Sequence, residues 1–291
     1  MQLEGNEGGT PVETDVTIAP GEGKQLRLNG AAVGSADEFR MRLSALAFVP
    51  DRLAIVKGGP LVRRAYVDRM LGRVAPSQGA LPAEYGRALA QRNEALRRVR
   101  AGVSTREAVE PWTERVAVLG TALDAARSEL VGALAPGFAQ HAATLGLLEG
   151  TLGYEQQPLA AEDLEARLER DLVRGTTGLG PHLRDIEIRA GGRDVRGFGS
   201  QGEQRTAVLA LLLAEAGVLA DRRGSPPLLL LDDVLSELDA QRRRALLAAL
   251  PEGGQTLVSA TSADALPSEA PAPALVVTIR RRDESSVAEA A

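Results

Sequence analysis

The stretch "PPLLLLDDVLSELDAQRRRALLAAL", residues 226–250, decides how the rest of the chain is read. Its four leucines form a short apolar run bounded by prolines and acids, the pattern of a buried strand. Asp232 and Asp233 then stand at the carboxyl end of that strand, where open α/β sheets place ligand sites. A carboxylate there can hold a Mg²⁺ that keeps several waters and bridges phosphates. The next acid can orient or deprotonate an attacking water. The same pair also fits a strand that simply ends in a solvated Asp-Asp turn, so on its own it leaves both readings open.

Downstream, "SELDAQRRRAL" begins at Ser236 and by itself reads as a helix cap, with Ser236 at the start and Asp239 on the first turn. Upstream lies "GFGSQGEQRTAVLALLLAEAG", residues 197–217. Ser200 and Glu203 form S-x-x-E ahead of an apolar helix, which is a capping box. The same geometry offers free backbone N–H groups and the positive end of a helix dipole, which together make a phosphate site. Gly197, Gly199 and Gly202 crowd around this helix start, and their density points to a close approach of the backbone to something.

Further out, "VETDVTI", "PGEG" and "KQLRLNG" (residues 12–30) predict a β-hairpin. "SALAFV" (44–49) predicts a short buried strand. Long helices follow in "PLVRRAYVDRML", "LPAEYGRALAQRNEALRRVRAG" and a stretch from 104 to about 148, where Leu119, Leu123, Ala126, Leu130 and Leu134 recur at helical spacing. Pro111 is placed near the start of that last helix or breaks it once. A strand "TLGYE" and a helix "AAEDLEARLERDLVR" close the section. "HLRDIEIRA" and "RDVRGF" then read as strands, and the rhythm from 184 to 260 predicts a βαβαβ parallel sheet. The last residues, 280–291, read as a frayed tail. The expectation is an α/β fold: a lobe with a mixed or parallel sheet in two pieces, 1–58 and 176–291, and a helical lobe, 59–175, inserted between them.

Composition narrows the function classes. The 291-residue chain is 44% hydrophobic and 25% charged, as an ordinary globular protein is. It has no cysteine and two histidines, which excludes disulfides and thiolate chemistry and disfavours a zinc site. No apolar run approaches the roughly 18 residues of a membrane span, and the polar start lacks the pattern of a signal peptide. The cytoplasm is therefore the expected location. A net charge of −5 argues against coating nucleic acid through the overall field, so any such site must be local. Two arginine groups qualify by position: Arg63, Arg64, Arg69 and Arg73 on one helix, and Arg92, Arg97, Arg98 and Arg100 on another. The more ordinary reading of each is solvated arginines paired with neighbouring acids. Arg63, Arg64, Arg97 and Arg98 are the candidates for DNA contact.

The order "GSQGEQR", helix, "LLLLDDVLSELD", "QTLVSAT" resembles the RecF recombination-repair ATPases, within the wider group of SMC and ABC-type ATPase heads. "RLNG" (27–30), "FVPDRLAIVKGGPLVRRAYVDRML" (48–71), "RALAQRNEALR" (87–97) and "TGLGPHLRDIEI" (177–188) extend the likeness over most of the chain. The resemblance implies that Ser200, Gln201, Gly202 and Glu203 form the signature motif, which contacts the γ-phosphate of ATP bound by the other protomer. It implies Asp232 as the Walker B Mg²⁺ ligand and Asp233 as the catalytic carboxylate. Ser236 and Asp239 would belong to the D-loop at the dimer interface, with Thr261 near the switch position. Members of the family act as ATP-dependent homodimers on single-stranded or gapped DNA. They help load the recombinase in the SOS and repair pathway with RecO and RecR partners. In this chain "PDRL" resembles a lid segment, but Arg52 stands where an acid is usual.

A P-loop, G-x-x-x-x-G-K-[ST], is what such a site still needs. The sequence has two lysines. Lys24 follows Gly23, but Ile18 occupies the place of the first glycine and Gln25 that of the hydroxyl. Lys57 precedes Gly58. The resemblance therefore implies an ATPase head shortened at its N-terminus, with Met1 an internal start, a gene-call error or a deliberate truncation, weak or no ATP binding, no ATPase activity by this chain alone, and an exposed sheet edge. The alternatives are a nucleotide-independent DNA-repair scaffold and a transporter ATPase. The long helical insertion and the form "DDVLSELD" disfavour the latter.

Overall fold

The computed structural model describes residues 2–7, 10–19, 23–34, 44–262, 265–267, 273–282 and 285–290. The site is carried by a three-stranded parallel sheet of β5 (Ala45–Phe48), β9 (Leu228–Leu231) and β10 (Thr256–Val258), ordered β10-β9-β5. Phe48 and Val258 both lie level with Leu231, so all three strands end together. Leu46, Phe48, Leu229 and Leu231 are buried, and the residues between them are half-buried. One face is thus sealed by packing and the other partly covered.

Among the described residues, eight α-helices precede the acid-bearing strand: α1 (Ala54–Lys57), α2 (Pro60–Val74), α3 (Leu81–Arg100), α4 (Glu110–Thr144), α5 (Ala161–Glu165), α6 (Leu168–Arg174), α7 (Val195–Phe198) and α8 (Gln201–Arg223). The crossover from β9 to β10 is α9 (Ala240–Ala248). In α8 every residue from Thr206 to Ala216 is buried, which is why, Thr206 and Glu215 apart, its sequence is apolar all round rather than on one stripe. Each leucine fully buried there stabilises the fold by about 1.5–3 kcal/mol relative to exposure. The five regularly spaced apolar residues of α4, from Leu119 to Leu134, are all buried, as their spacing predicts. Pro111 sits in the first turn of α4, and Pro136 lies inside it, a position the periodicity does not reveal. Next to Pro136, Gly137 lets α4 press against α8: an added Cβ would lie 3.5 Å from Ala214.

Four expectations change. The strand at 182–190 is β7 (Ile186–Ala190), and it does not join the parallel sheet. It pairs antiparallel with β6 (Thr151–Tyr154) and β8 (Arg193–Asp194). Its alternation of buried Ile186 and Ile188 with exposed Glu187 and Arg189 is the pattern of a sheet packed on one side. "RDVRGF" is only briefly a strand, because Asp194 accepts from the backbone N–H of Arg196 and starts α7 there. The helix expected over 160–174 is two short ones, α5 and α6. The tail expected to fray pairs with itself as β11 (Val277–Arg282) and β12 (Ser285–Ala290).

At the other end, the hairpin of residues 12–30 is present as β2 (Thr10–Ala19) and β3 (Gly23–Leu28), extended by β1 (Gln2–Glu7) and β4 (Ala31–Ala32) into an antiparallel sheet ordered β1-β2-β3-β4. Its turn, 20–22, and Met1 lie outside the described residues. Lys24 pairs opposite Ile18 within this hairpin. With a strand partner in front and its own strand running on to Leu28 behind, Lys24 does not lie on the backbone of a phosphate loop.

Candidate functional site

Asp232 follows β9 directly, and its N–H donates to Phe48 O at 3.0 Å. The parallel register then brings Ser259, the first residue beyond β10, level with the acid. Ser259 N–H donates to Leu231 O at 2.9 Å. Its hydroxyl donates to Asp232 Oδ1 at 2.6 Å and accepts from the N–H of Asp233 at 3.0 Å. Asp233 has φ +49°, a left-handed backbone that costs a side-chain-bearing residue about 1–2 kcal/mol. Two hydrogen-bonding partners offset that cost. One is Ser259; the other is Ser236, whose hydroxyl reaches Asp233 O at 2.9 Å and Oδ1 at 2.7 Å. Each carboxylate is thus held by one serine, Asp232 by Ser259 and Asp233 by Ser236.

Buried Val234, Leu235 and Leu238 anchor the loop that follows. Asp239, not Ser236, is the cap of α9: it accepts from the N–H of Arg242 at 2.8 Å. At the start of α8, Ser200 and Glu203 form the expected reciprocal box, at 2.7 Å for Ser200 N–H to Glu203 Oε2 and 3.2 Å for Glu203 N–H to Ser200 Oγ. The donation from the Ser200 N–H holds the Glu203 carboxyl below its ordinary range. Gln201 and Gly202, in the same first turn, keep N–H groups that no helical carbonyl can reach. Gly199 has a local explanation: an added Cβ would sit 2.5 Å from Val195 O, so this backbone approaches its own chain. Phe198, just before it, is 74% exposed.

One arginine joins the helix start to the acid loop, and a second lies beside it. Arg205 pairs with Glu237 at 2.5 Å. Arg242 lies 3.2 Å from Asp239 Oδ2 and 3.2 Å from Leu145 O, and an added Cβ at Gly202 would lie 3.7 Å from its Nη1. A small pocket opens between Phe48, Leu53, Arg205, Asp232, Asp233 and Glu237. Thr261 is exposed in a bend, two residues past the hydroxyl that touches the acids.

The arginine candidates divide. Arg63 is buried, with Nε donating to Asp185 Oδ1 at 2.8 Å and Nη1 to Gly58 O at 2.9 Å. Arg64 is half-buried and donates to Arg184 O at 2.6 Å, and burial lowers its pKa. Arg92 is fully buried against Asp171 at 2.9 Å, and Arg73 pairs with buried Glu215. By contrast Arg97 and Arg98 are exposed at the end of α3, Arg97 against Glu94 at 2.8 Å. The lid-like segment is a 3-10 turn, Pro50–Leu53. Arg52 there points inward, 5.8 Å from the ring centre of Tyr66 and 3.9 Å from Glu215.

No protein-family model matches the chain. It is 35% identical over 268 residues to the DNA replication and repair protein RecF of Thermosynechococcus vestitus, a match covering 87% of this chain and 70% of that one. To the RecF protein of Myxococcus xanthus it is 36% identical over 270 residues, covering 86% and 70%. The chain belongs to the RecF family. The recombination mediator protein RecF with ATP, of the RecFOR pathway, superimposes with a TM-score of 0.73 at 26% identity, over 88% of this chain and 72% of that structure. An Smc head domain of Pyrococcus furiosus, at 15% identity, has a TM-score of 0.53 over 97% of this chain and 72% of its own, a likeness of fold alone. The RecF fold is therefore an α/β ATPase head, as the sequence resemblance implies. Ser259 is the residue of this site that sequence reading misses. Parallel pairing of "LLLLD" with "QTLVSA" was the available signal, since it sets the ends of both strands side by side.

Proposed function

We propose that the chain is a RecF-type replication and repair protein that works on gapped or single-stranded DNA as a homodimer. In that dimer, Ser200, Gln201, Gly202 and Glu203 of one copy would face the ATP of the other. The observation that supports this reading most is the serine-held acid pair at the end of β9, whose loop is tied through the Arg205–Glu237 pair to the capped start of α8. Asp232 is the candidate Mg²⁺ ligand. Its Oδ2 makes no hydrogen bond among the described residues, and it lies exposed at the strand end. Among the described residues no three acidic or imidazole groups converge. This suits Mg²⁺, which takes one or two carboxylates and completes its shell with water and phosphate.

When bound, the ion would neutralise charge on the transferring phosphate. Asp233 is the candidate for orienting water, with Oδ1 fixed by Ser236. Ser236 and Asp239 would lie at the interface between copies, and Thr261, in the bend beyond β10, would sit near the switch position. The phosphate cradle is not among these 291 residues, so the chain supplies the metal and signature parts of such a site. Partners of the RecO and RecR type complete the reading. The nucleotide-independent scaffold is the less favoured alternative, since RecF structures with ATP are among the neighbours.

The test is fluorescence anisotropy of a labelled gapped duplex at stepped salt. Binding that weakens steadily as salt rises supports the reading. No binding at about 50 mM salt, within the range where phosphate contacts are strong, counts against it.

A further inference from the structure

We propose that Ser259 is a positioning residue for the cation-binding carboxylate of Asp232. The inference rests on the reading of Asp232 as the metal ligand. A carboxylate on the end of a strand rotates about its last bond unless something holds it. Here the Ser259 hydroxyl donates to Oδ1 at 2.6 Å, which leaves Oδ2 as the oxygen without a protein partner among the described residues. The same hydroxyl accepts from Asp233 N–H at 3.0 Å, so it has both a donor and an acceptor duty and its orientation is determined. Its own backbone is held in turn by the bond from its N–H to Leu231 O. One exposed serine just beyond a neighbouring strand thus sets the side chain of the first acid and the backbone of the second. Groups that orient a metal ligand in this way alter metal affinity when removed.

The experiment uses the whole chain and Mn²⁺ alone as probe. Paramagnetic broadening of the Leu231 and Val234 methyl signals is followed during titration of wild type, Ser259→Ala, Ser259→Thr and Asp232→Asn, with thermal unfolding of each recorded alongside. Ser259→Ala is expected to need roughly tenfold more Mn²⁺ for half-maximal broadening, and Ser259→Thr to match wild type. Equal affinity for Ser259→Ala and wild type overturns the proposal, even if the alanine variant melts earlier, because the serine would then be only a backbone prop. Equal weakening by alanine and threonine overturns it too, since the hydroxyl would not be the cause. Asp232→Asn separates the two levels. Loss of broadening there with an unaffected Ser259→Ala removes Ser259 alone, whereas undiminished broadening in Asp232→Asn removes the metal reading itself.

Discussion

Tyr66 donates its hydroxyl to Glu215 Oε2 at 2.5 Å, across 149 residues of sequence. The carboxylate is fully buried in α8, and Arg73 and Arg52 approach it from α2 and from the lid-like turn. Burial and the neighbouring charge of Glu215 push the Tyr66 phenol well above its usual pKa, so it stays a donor. Removing the carboxylate leaves buried guanidinium charge without its partner. Glu215→Ala is therefore expected to destabilise by about 3–5 kcal/mol. Tyr66→Phe should cost less, about 1.5–3 kcal/mol for a bond to a charged group. Urea unfolding of both variants and of the double mutant measures this. Strict additivity would show that Tyr66 and Glu215 are not energetically coupled.

The capping box predicts a smaller and pH-dependent effect. Ser200→Ala is expected to cost about 1 kcal/mol. Because the folded Glu203 carboxyl titrates below its ordinary value of 4.5, its contribution is fully present above that value and is lost as pH falls through the lowered one. Denaturation of wild type and Glu203→Gln at neutral pH and near pH 3 tests the pH dependence, since Ser200→Ala keeps the N–H that lowers the carboxyl. The gap between them should shrink in acid.

His182 gives a second pH signature. Its Nε2 lies 3.1 Å from Thr177 O, which can only accept, so Nε2 carries the proton and Nδ1 accepts from Tyr85 at 2.6 Å. Burial lowers the histidine's pKa below 6.5, with Arg64 and Arg127 nearby acting the same way. A base whose folded pKa is depressed leaves the unfolded chain binding more protons. Stability is thus full above pH 6.5 and falls as pH drops from there toward the folded value. His182→Gln should flatten that slope. An unchanged slope would assign it to His141, the other histidine, whose pKa burial also lowers.

DNA contact, if made by the tip of α3, should respond to charge there. Charge reversal at Arg97 and Arg98 together is expected to reduce the salt slope of gapped-duplex binding by about one for each phosphate that the two arginines neutralise. Arg63→Ala serves as the contrast. It should lower stability through Asp185 and leave the slope of the folded protein as it was.

The sequence made the elements legible, and much less of what each one faces. The acid pair, the capping box and the α4 stripe were readable because local spacing and residue chemistry determine them. Arg63 and Arg98 look alike in sequence, yet one is buried against Asp185 and the other exposed. That difference is set by a segment 122 positions away. The same holds for β7, whose alternation announces a strand but not which sheet it joins. Ser259 was missed because a serine after a strand carries no signal until the register with β9 is known.

Asp233 sits in a backbone conformation that glycine enters freely and asparagine more readily than most residues. A side chain kept there runs against thermal robustness, as functional groups on strained backbone do. A library of this chain selected for heat resistance alone should therefore drift at position 233 early. Variants that gain in melting temperature through this position would be those that have given up the acid.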